Sequence, residues 1–401
     1  MTYTRMLCVF LIITLLSLFS RDIYIPSLPE IVKDLSSNQS MITGSITACL
    51  LGCGISAPFY GFFAEKYGKK IILMFGLFLC LIGNVVTLVA YNGILFWTSR
   101  LVVGIGIGSV PVITRALAAD YFQDYKLTKI LSYLSMAATT ALAIAPILGG
   151  YLHNYLGWQS SFIFLIVCSV LSYICVKFLI INDMQKGRVK PKSYKYLTKN
   201  FISLFVDKQF MSYALISSLA FFYGMAYLMI TPFLFQGVLN LNVSENGFMY
   251  IFIAIAFFLG TYSCGIITKH ISDNLILIIG ISATFVGTMI YLLFHSINFV
   301  SIFSVTFGGF VCIFGSGVIM PIANKKCVTN KLNLTGISSS MLSFIRMLIV
   351  FILGIPVSMV DKSNLVSLFI TYALLSITTF LLFIFTLKKS LQTEPTALPN
   401  H

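Results

Sequence analysis

Charged side chains are scarce in this chain. Asp, Glu, Lys and Arg make up 9% of its 401 residues, whereas soluble domains carry about 25%. Only 12 residues are acidic against 26 basic ones, which leaves a net charge of +14, and 58% of the residues are hydrophobic. The mean hydropathy is +0.96. This composition excludes an ordinary soluble domain and indicates a polytopic membrane protein.

Groups that perform catalysis or bind metals are also few. The four histidines fall at or beyond the ends of apolar segments, so neither a zinc site nor a His/Ser/Asp constellation is available. The nine cysteines lie mostly inside apolar runs without a CxxC pair, which favours packing thiols. We therefore expect no enzyme, metal or cofactor. A cleavable signal peptide at 1–20 is disfavoured because the small-x-small pattern is missing.

Long apolar runs, in contrast, are abundant. A membrane helix needs about 20 mainly apolar residues. The sequence predicts an all-α membrane protein with twelve such spans, at 5–30, 40–63, 70–91, 94–118, 130–152, 159–181, 209–235, 246–268, 275–295, 299–323, 335–359 and 364–387.

The basic residues fall on alternate loops. If the chain starts inside the cell, the cytoplasmic segments hold 20 of the 26 basic residues, and the external loops hold Lys33 and Lys362, with Arg21 if it lies there. This asymmetry follows the positive-inside rule and predicts that both termini lie in the cytoplasm. Because topology accounts for the positive charge, we expect no nucleic-acid partner.

The longest polar stretch separates two groups of six spans. We predict an N-terminal half at 1–181, a basic cytoplasmic linker at 182–208, a C-terminal half at 209–387 and a cytoplasmic tail at 388–401. Two parallel repeats with a binding site at their interface are typical of transporters.

The first internal loop reads "GFFAEKYGKK" at 61–70. Gly61 and Gly68 would permit close helix approach and a tight turn, while Glu65, Lys69 and Lys70 could make charge-assisted contacts. The loop resembles that of the major facilitator superfamily, G-x-x-x-D-[RK]-x-G-[RK]-[RK], with Glu65 in place of the aspartate. The resemblance implies two six-helix halves and a gating role for this loop.

The fourth span, "SRLVVGIGIGSVPVITR", places Arg100, Gly104, Gly108 and Pro111 on one helical face. Arg100 is similar to the arginine of the R-x-x-x-G-x-G pattern, which in drug/proton antiporters is tied to proton coupling. The glutamine that usually follows three residues later is Val103 here.

The fifth span ends "ALAIAPILGGYL". It resembles the antiporter motif G-x-x-x-G-P-x-x-G-G, with Ala141 and Ala145 replacing two glycines and Pro146, Gly149 and Gly150 retained. Small residues allow helices to approach closely and proline permits a bend. We expect an outer-gate hinge here; ordinary tight packing is the alternative.

The first span contains "RDIYIPSLPEI", which is similar to the D-[MLI]-Y-[LI]-P-[AS]-[LF]-P signature of the Bcr/CflA branch of drug/proton antiporters. Of the twelve acids, Asp22 alone is expected at membrane depth, where an ionisable residue indicates function. We predict Asp22 as the proton acceptor and Arg100 as its electrostatic partner. The alternative is that Asp22 only caps a helix at the wet interface.

Arg21 is a departure from this signature. Residues adjacent in a helix point about 100° apart, so Arg21 and Asp22 are not expected to face each other. Arg21 aligns with Ser17 and Tyr24, a polar stripe that predicts cavity lining; a side chain extended to the headgroups is the alternative.

Other candidate substrate contacts come from the second half of the chain. Tyr213, Ser217 and Tyr227 share one face of the seventh span, and Arg346 in the eleventh span shares a face with Ser343. An excess of cavity arginines would favour neutral or anionic substrates over lipophilic cations. Alternatively, these arginines bond backbone carbonyls and never meet substrate.

The resemblance implies a monomeric, proton-coupled antiporter of the bacterial inner membrane that exports small amphipathic compounds by alternating access. Its partners would be the substrate, protons and the lipid bilayer, with the proton gradient as the energy source. A dedicated exporter of an endogenous anionic metabolite or siderophore, and a non-transporting membrane sensor, are the alternatives.

Overall fold

The structure, a computed structural model, describes residues 3–180, 201–329, 335–362 and 364–393. Within these ranges, twelve helices are long and apolar enough to cross a membrane, and no strand is formed. These are α1 (Thr4–Asp34), α2 (Gln39–Tyr67), α3 (Lys69–Leu88), α4 (Gly93–Tyr121), α5 (Tyr125–Leu156), α6 (Gln159–Leu179), α7 (Lys208–Val238), α8 (Val243–Ile267), α9 (Asp273–Ser296), α10 (Ile302–Cys327), α11 (Ile337–Met359) and α12 (Val366–Leu387).

The twelve predicted spans and the all-α class are thus confirmed. The linker at 182–200 and the tail at 394–401 lie outside the described residues, and the predicted domain boundaries stay predictions. The largest difference concerns α5, which begins five residues before and ends four residues after the predicted 130–152. It ends at Leu156, and the following Gly157 has a φ of +80°, which favours glycine and stops the helix.

Helix α1 is interrupted towards its C-terminal end. Its regular part ends at Asp22, a 3₁₀ turn follows at Ile25–Ser27, and the α-helix resumes at Leu28–Asp34. Pro26 lacks the N–H that a continuous helix would require at that position. The break leaves Asp22 at a helix end inside the bundle.

Helix α4 is broken at Gly108, where Gly93–Ile107 gives way to Ser109–Tyr121. Pro111 has no N–H to donate to the preceding turn, which explains the break. A Cβ at Gly108 would lie 2.9 Å from the carbonyl oxygen of Cys53, and one at Gly104 would collide with the carbonyl oxygen of Cys49. The glycine face of α4 therefore holds the backbone of α2.

Helices α1–α6 pack mainly against one another, as do α7–α12, and the two groups meet along α2–α11 and α5–α8. Glycines allow close approach at both contacts. A Cβ at Gly354 of α11 would collide with Thr47 of α2, and a Cβ at Gly247 of α8 would lie 2.7 Å from the carbonyl oxygen of Pro146 in α5. Small residues thus bring the halves together.

The two ends of the bundle differ in charge and in how the halves are joined. We call the end that carries Lys69 and Lys325 the basic end. Ion pairs there join Lys69 to Asp120, and Lys325 to Asp273 at 2.9 Å. Each of these pairs stays within one half, so neither ties α1–α6 to α7–α12.

At the opposite end, hydrogen bonds connect the halves. Gln236 Nε2 donates to the carbonyl oxygen of Pro26 at 2.6 Å, and Ser244 Oγ donates to that of Gly150 at 3.2 Å. The rings of Tyr151 and Phe248 also pack edge to face across this contact. The halves are therefore sealed at the end opposite the basic one.

Candidate functional site

A cavity of about 210 Å³ lies between the halves. Its walls are mainly apolar, and among the described residues that form them only Arg21 carries a charge. A cavity of about 150 Å³ accommodates benzene, so this one has room for about two fused rings. It is lined from α1, α5, α7, α8 and α10, by residues that include Leu18, Arg21, Ala138, Phe221, Tyr250 and Met320.

Arg21 holds the carboxylate of Asp22 with two nitrogens. Nε donates to Oδ1 at 2.7 Å and Nη2 donates to Oδ2 at 2.6 Å. Asp22 is 1% exposed and Arg21 is 16% exposed. The expectation that these neighbours do not face each other is therefore wrong. The regular helix ends at Asp22, and the long arginine side chain bridges the angular separation between the two Cβ atoms.

The predicted ion pair between Asp22 and Arg100 is not formed in this conformation. Arg100 is fully buried, and one of its Nη2 hydrogen bonds goes to the carbonyl oxygen of Ser20. Its Nε and Nη1 have no hydrogen-bond partner in the described part of the chain. Arg21 is adjacent to Asp22 and occupies both carboxylate oxygens, which explains the difference.

Arg100 instead lies in an aromatic environment. Its guanidinium carbon is 4.5 Å from the ring centroid of Tyr24 and 5.7 Å from that of Phe162, distances at which a cation is attracted to an aromatic face. The hydroxyl of Tyr24 lies 3.1 Å from Ser45 Oγ. Tyr24, predicted to contact substrate, thus packs behind the cavity wall, and Ser17 is likewise not among the lining residues.

The glycine pair of α5 contacts both α1 and α8. A Cβ at Gly149 would collide with the carbonyl oxygen of Ile23, the residue after Asp22. A Cβ at Gly150 would lie 2.7 Å from the carbonyl oxygen of Val243, at the start of α8. The motif that resembles an antiporter hinge therefore joins the segment carrying Asp22 to the second half of the molecule.

The loop between α2 and α3 is held by its glycine and lysines. Gly68 has a φ of +98°, which disfavours other residues. Lys69 pairs with Asp120, and Lys70 Nζ donates to the carbonyl oxygen of Lys177 at 2.7 Å. The loop thus links α3 to α4 and α6.

Two other residues of this loop differ from expectation. A Cβ at Gly61 would meet its nearest neighbour, Val112, at an ordinary 3.8 Å, so close approach is not the reason for this glycine. Glu65 is exposed.

The tyrosine face of α7 is mostly buried in protein. Tyr213 and Tyr227 are buried and do not line the cavity. Phe221, Gly224 and Met225 of the same helix line it instead. The predicted polar wall is therefore mainly an apolar one, because α7 turns its aliphatic and aromatic residues to the cavity.

Arg346 forms a polar cluster with Ser217 and Asn324. Its Nη2 donates to Ser217 Oγ at 2.8 Å and to Asn324 Oδ1 at 2.7 Å, while Ser217 Oγ donates to Asn324 Oδ1 at 2.6 Å. The guanidinium carbon is 5.7 Å from the ring centroid of Phe221. Arg346 therefore bonds side chains and not backbone carbonyls in these contacts.

Residues 10–348 match the Major Facilitator Superfamily. The chain belongs to this superfamily. It is accordingly a multi-pass membrane transporter of a small molecule and not an enzyme. This assignment counts against the alternative of a non-transporting sensor.

Curated relatives support the resemblance to drug/proton antiporters. The chain is 26% identical to a bicyclomycin resistance protein homolog of Haemophilus influenzae over 60% of each chain. It is 23% identical to a chloramphenicol resistance protein of Acinetobacter baumannii, over 68% of this chain and 65% of that protein. It is also 26% identical, over 68% of each chain, to an uncharacterized transporter of this superfamily from Bacillus subtilis. The chain thus spans about two thirds of these relatives' length.

Solved structures share the fold. A bacterial homolog of the human lysosomal transporter Spinster, in an inward-facing and occupied conformation, superposes with a TM-score of 0.76 at 14% identity over 98% of each chain. A D-xylose-proton symporter superposes with a TM-score of 0.75 at 13% identity, over 96% of this chain and 97% of that one.

Several residues of the cavity and its surroundings were not predicted. Tyr250 and Phe221 line the cavity, and Asn324 bonds Arg346. Asn324 is a polar residue near the end of an apolar span, and this position in the sequence could have marked it as a candidate site residue. The other two belong to apolar or aromatic runs that look alike on every helix face.

Proposed function

We propose that the protein is a proton-driven exporter of small amphipathic compounds in a bacterial inner membrane. It works as a monomer with both termini in the cytoplasm, and its halves rock about the cavity. The observation that carries this proposal is the burial of Asp22 on the α1 segment that forms the cavity wall and touches the α5 glycine motif.

Asp22 has the properties of a proton site. It is the one buried acidic side chain among the described residues, and its charge is balanced by Arg21. A buried ion pair persists because each charge offsets the desolvation of the other. Protonation of Asp22 removes the negative partner and leaves the charge of Arg21 at the cavity wall. Proton binding would thus change the electrostatic potential that the substrate meets.

Backbone contacts connect the α1 segment that carries Asp22 to the contact between α5 and α8. The carbonyl of Ile23 packs on Gly149, and Gly150 packs on the start of α8. Any movement of the α1 break on loss of the Arg21–Asp22 pair would be passed to the α5–α8 contact, which helps to seal the end opposite the basic one. Arg100 would stabilise the α1 break through its hydrogen bond to the carbonyl oxygen of Ser20.

The comparisons point to the same class of cargo. Relatives whose names refer to resistance to bicyclomycin or chloramphenicol suggest export of compounds of that kind, and the apolar cavity with one cationic group suits small amphipathic molecules. A dedicated exporter of an anionic metabolite or siderophore is the second candidate, and the polar cluster around Arg346 favours it.

Proton movement in proteoliposomes tests the first proposal. Purified protein is reconstituted with an internal pH-sensitive dye and given a panel of cationic, neutral and anionic amphipathic compounds. We expect a transported compound to drive protons in the opposite direction, and we expect Asp22→Asn to abolish this movement. Glu30→Gln, which removes a partly exposed carboxylate of the same helix, should retain it. Coupled transport by Asp22→Asn would exclude Asp22 as the proton site.

Reporter fusions test the orientation. A fluorescent protein fused to the C-terminus should fluoresce, whereas alkaline phosphatase fused at the same point should be inactive, because only the former folds in the cytoplasm. An active phosphatase fusion would reverse the assigned topology.

A further inference from the structure

We propose that Arg346, Asn324 and Ser217 form an anion subsite beside the cavity, which binds the carboxylate of an amphipathic substrate while the substrate's rings occupy the cavity. This inference rests on the transport function proposed above and names the class of compound that the site takes.

The charge of Arg346 lacks a counterion. In the described part of the chain no carboxylate lies within ion-pair distance of its guanidinium, and its buried Nε has no hydrogen-bond partner there. Arg21, the charged residue among those that line the cavity, is neutralised by Asp22. A cation at membrane depth is unfavourable without a partner. An anionic group of the cargo would supply the partner that the described residues do not.

The cluster is continuous with the cavity on two helices. Ser217 lies one helical turn from Phe221 on α7, and Asn324 lies one turn from Met320 on α10. Residues four apart share a helical face, and both Phe221 and Met320 line the cavity. Ser217 and Asn324 each lie one turn nearer to the basic end than the cavity residue of the same helix. A substrate whose rings fill the cavity would therefore place a polar group at that edge beside Arg346.

The geometry of the cluster suits a carboxylate. The guanidinium uses Nη2 for its hydrogen bonds to both Ser217 and Asn324, and Nε has no partner among the described residues. Both hydrogens of Nη2 are used by these two side chains, so a carboxylate would accept a single charge-assisted hydrogen bond from another nitrogen of the guanidinium. Ser217 and Asn324 fix the plane of the group in advance, which reduces the ordering that binding would otherwise require.

Two probes that differ only in charge test the subsite. 2-Naphthoate and its uncharged amide, 2-naphthamide, have the two fused rings that the cavity can hold. Binding is measured by calorimetry on the purified protein in lipid nanodiscs, with empty nanodiscs subtracted to remove partitioning into lipid. In the unsubstituted protein we expect naphthoate to bind about tenfold more tightly than naphthamide, as one charge-assisted interaction provides.

Three variants locate the source of this preference. Arg346→Gln should abolish it while leaving naphthamide affinity nearly unchanged. Arg346→Lys keeps the charge and should retain part of it. Arg115→Gln, which removes an exposed arginine of α4, should retain all of it. If Arg346→Gln also loses naphthamide binding, the test uses Arg346→Lys and Asn324→Ala. Each of these two variants should prefer naphthoate over naphthamide less strongly than the unsubstituted protein does.

Several results would overturn the inference. One is the absence of any preference for naphthoate in the unsubstituted protein. Another is a preference that the Arg346 and Asn324 variants leave unchanged, and a third is an equal loss in Arg115→Gln. These binding measurements involve no proton gradient, so their failure is separate from a failure of proton-coupled export, which the Asp22→Asn proteoliposomes report.

Discussion

Arg21 and Asp22 are neighbours in the chain and also partners across 2.6 and 2.7 Å hydrogen bonds. The pair places the proposed proton acceptor and a fixed positive charge on one short segment of α1, next to the cavity. Because Arg21 lines the cavity and Asp22 lies behind it, protonation of Asp22 would change the electrostatic potential in the proposed substrate cavity.

Removing one member of this pair should destabilise the protein more than removing both. Arg21→Gln leaves the Asp22 carboxylate buried without a counterion, and we expect a loss of about 3 kcal/mol of unfolding free energy. The double variant Arg21→Gln/Asp22→Asn should recover much of it. Reversible denaturation by SDS in detergent micelles measures both. A control at the surface pair of Glu30 and Lys33 should change stability by at most about 1 kcal/mol. Equal losses at the two pairs would contradict the account of Arg21 and Asp22 as a buried pair.

A methyl group at Gly149 should disrupt the contact between α5 and α1. Gly149→Ala introduces a Cβ that collides with the carbonyl of Ile23, so we expect lower thermal stability and loss of export. Gly265→Ala is the matched control, since that helical position has open space around it. Export rates and apparent melting temperatures of the two variants, measured side by side, check the expectation; full activity of Gly149→Ala would show that this contact does not matter.

Replacing Gly68 should destabilise the turn between α2 and α3 because of its backbone conformation. Its φ is +98° and a Cβ added there would have no neighbour within 4 Å, so Gly68→Ala meets conformational strain and no collision. We expect a loss of about 1 to 2 kcal/mol. The same SDS titration measures it, with Gly265→Ala again as the reference for a change from glycine to alanine. A neutral Gly68→Ala would mean that the loop relaxes freely.

Stability should rise with pH because of Lys362, which lies between α11 and α12. Lys362 is 1% exposed, and its Nζ donates to the carbonyl oxygen of Ser358 at 2.7 Å. Burial lowers the pKa of this ammonium from 10.5 to about 8, although the nearby Asp361 carboxylate acts in the opposite direction. Between these two values the unfolded chain binds more protons than the folded one, so unfolding free energy increases with pH over that window.

Replacing Lys362 measures how much this side chain contributes to the pH dependence of the unfolding free energy. Unfolding titrations between about pH 7 and pH 10 should show a shallower slope in Lys362→Met than in the unsubstituted protein. Lys33→Met removes an exposed lysine from the same end of the bundle and should leave the slope unchanged. Identical slopes in all three proteins would argue against a lowered pKa at Lys362.

Much of the architecture follows from sequence pattern alone. The twelve spans are predictable because each must be long and apolar, and the spacing of the small residues in α4 and α5 marks them as contact surfaces. The positions of side chains around the cavity are harder to predict. The α7 tyrosines have the right period for a lining face, yet the helix is buried on nearly all sides, so polarity does not distinguish its cavity face from its core faces.

The sequence by itself determined the class of protein, the number of spans and the residues able to carry charge at membrane depth, because these depend on composition and on the length of apolar runs. Only the tertiary structure decided which charges meet. Arg21 pairs with Asp22, Arg100 packs on Tyr24, and Arg346 bonds Asn324. Such choices depend on a helix break, on side-chain reach and on neighbouring helices, and a repeating pattern along one helix contains none of these.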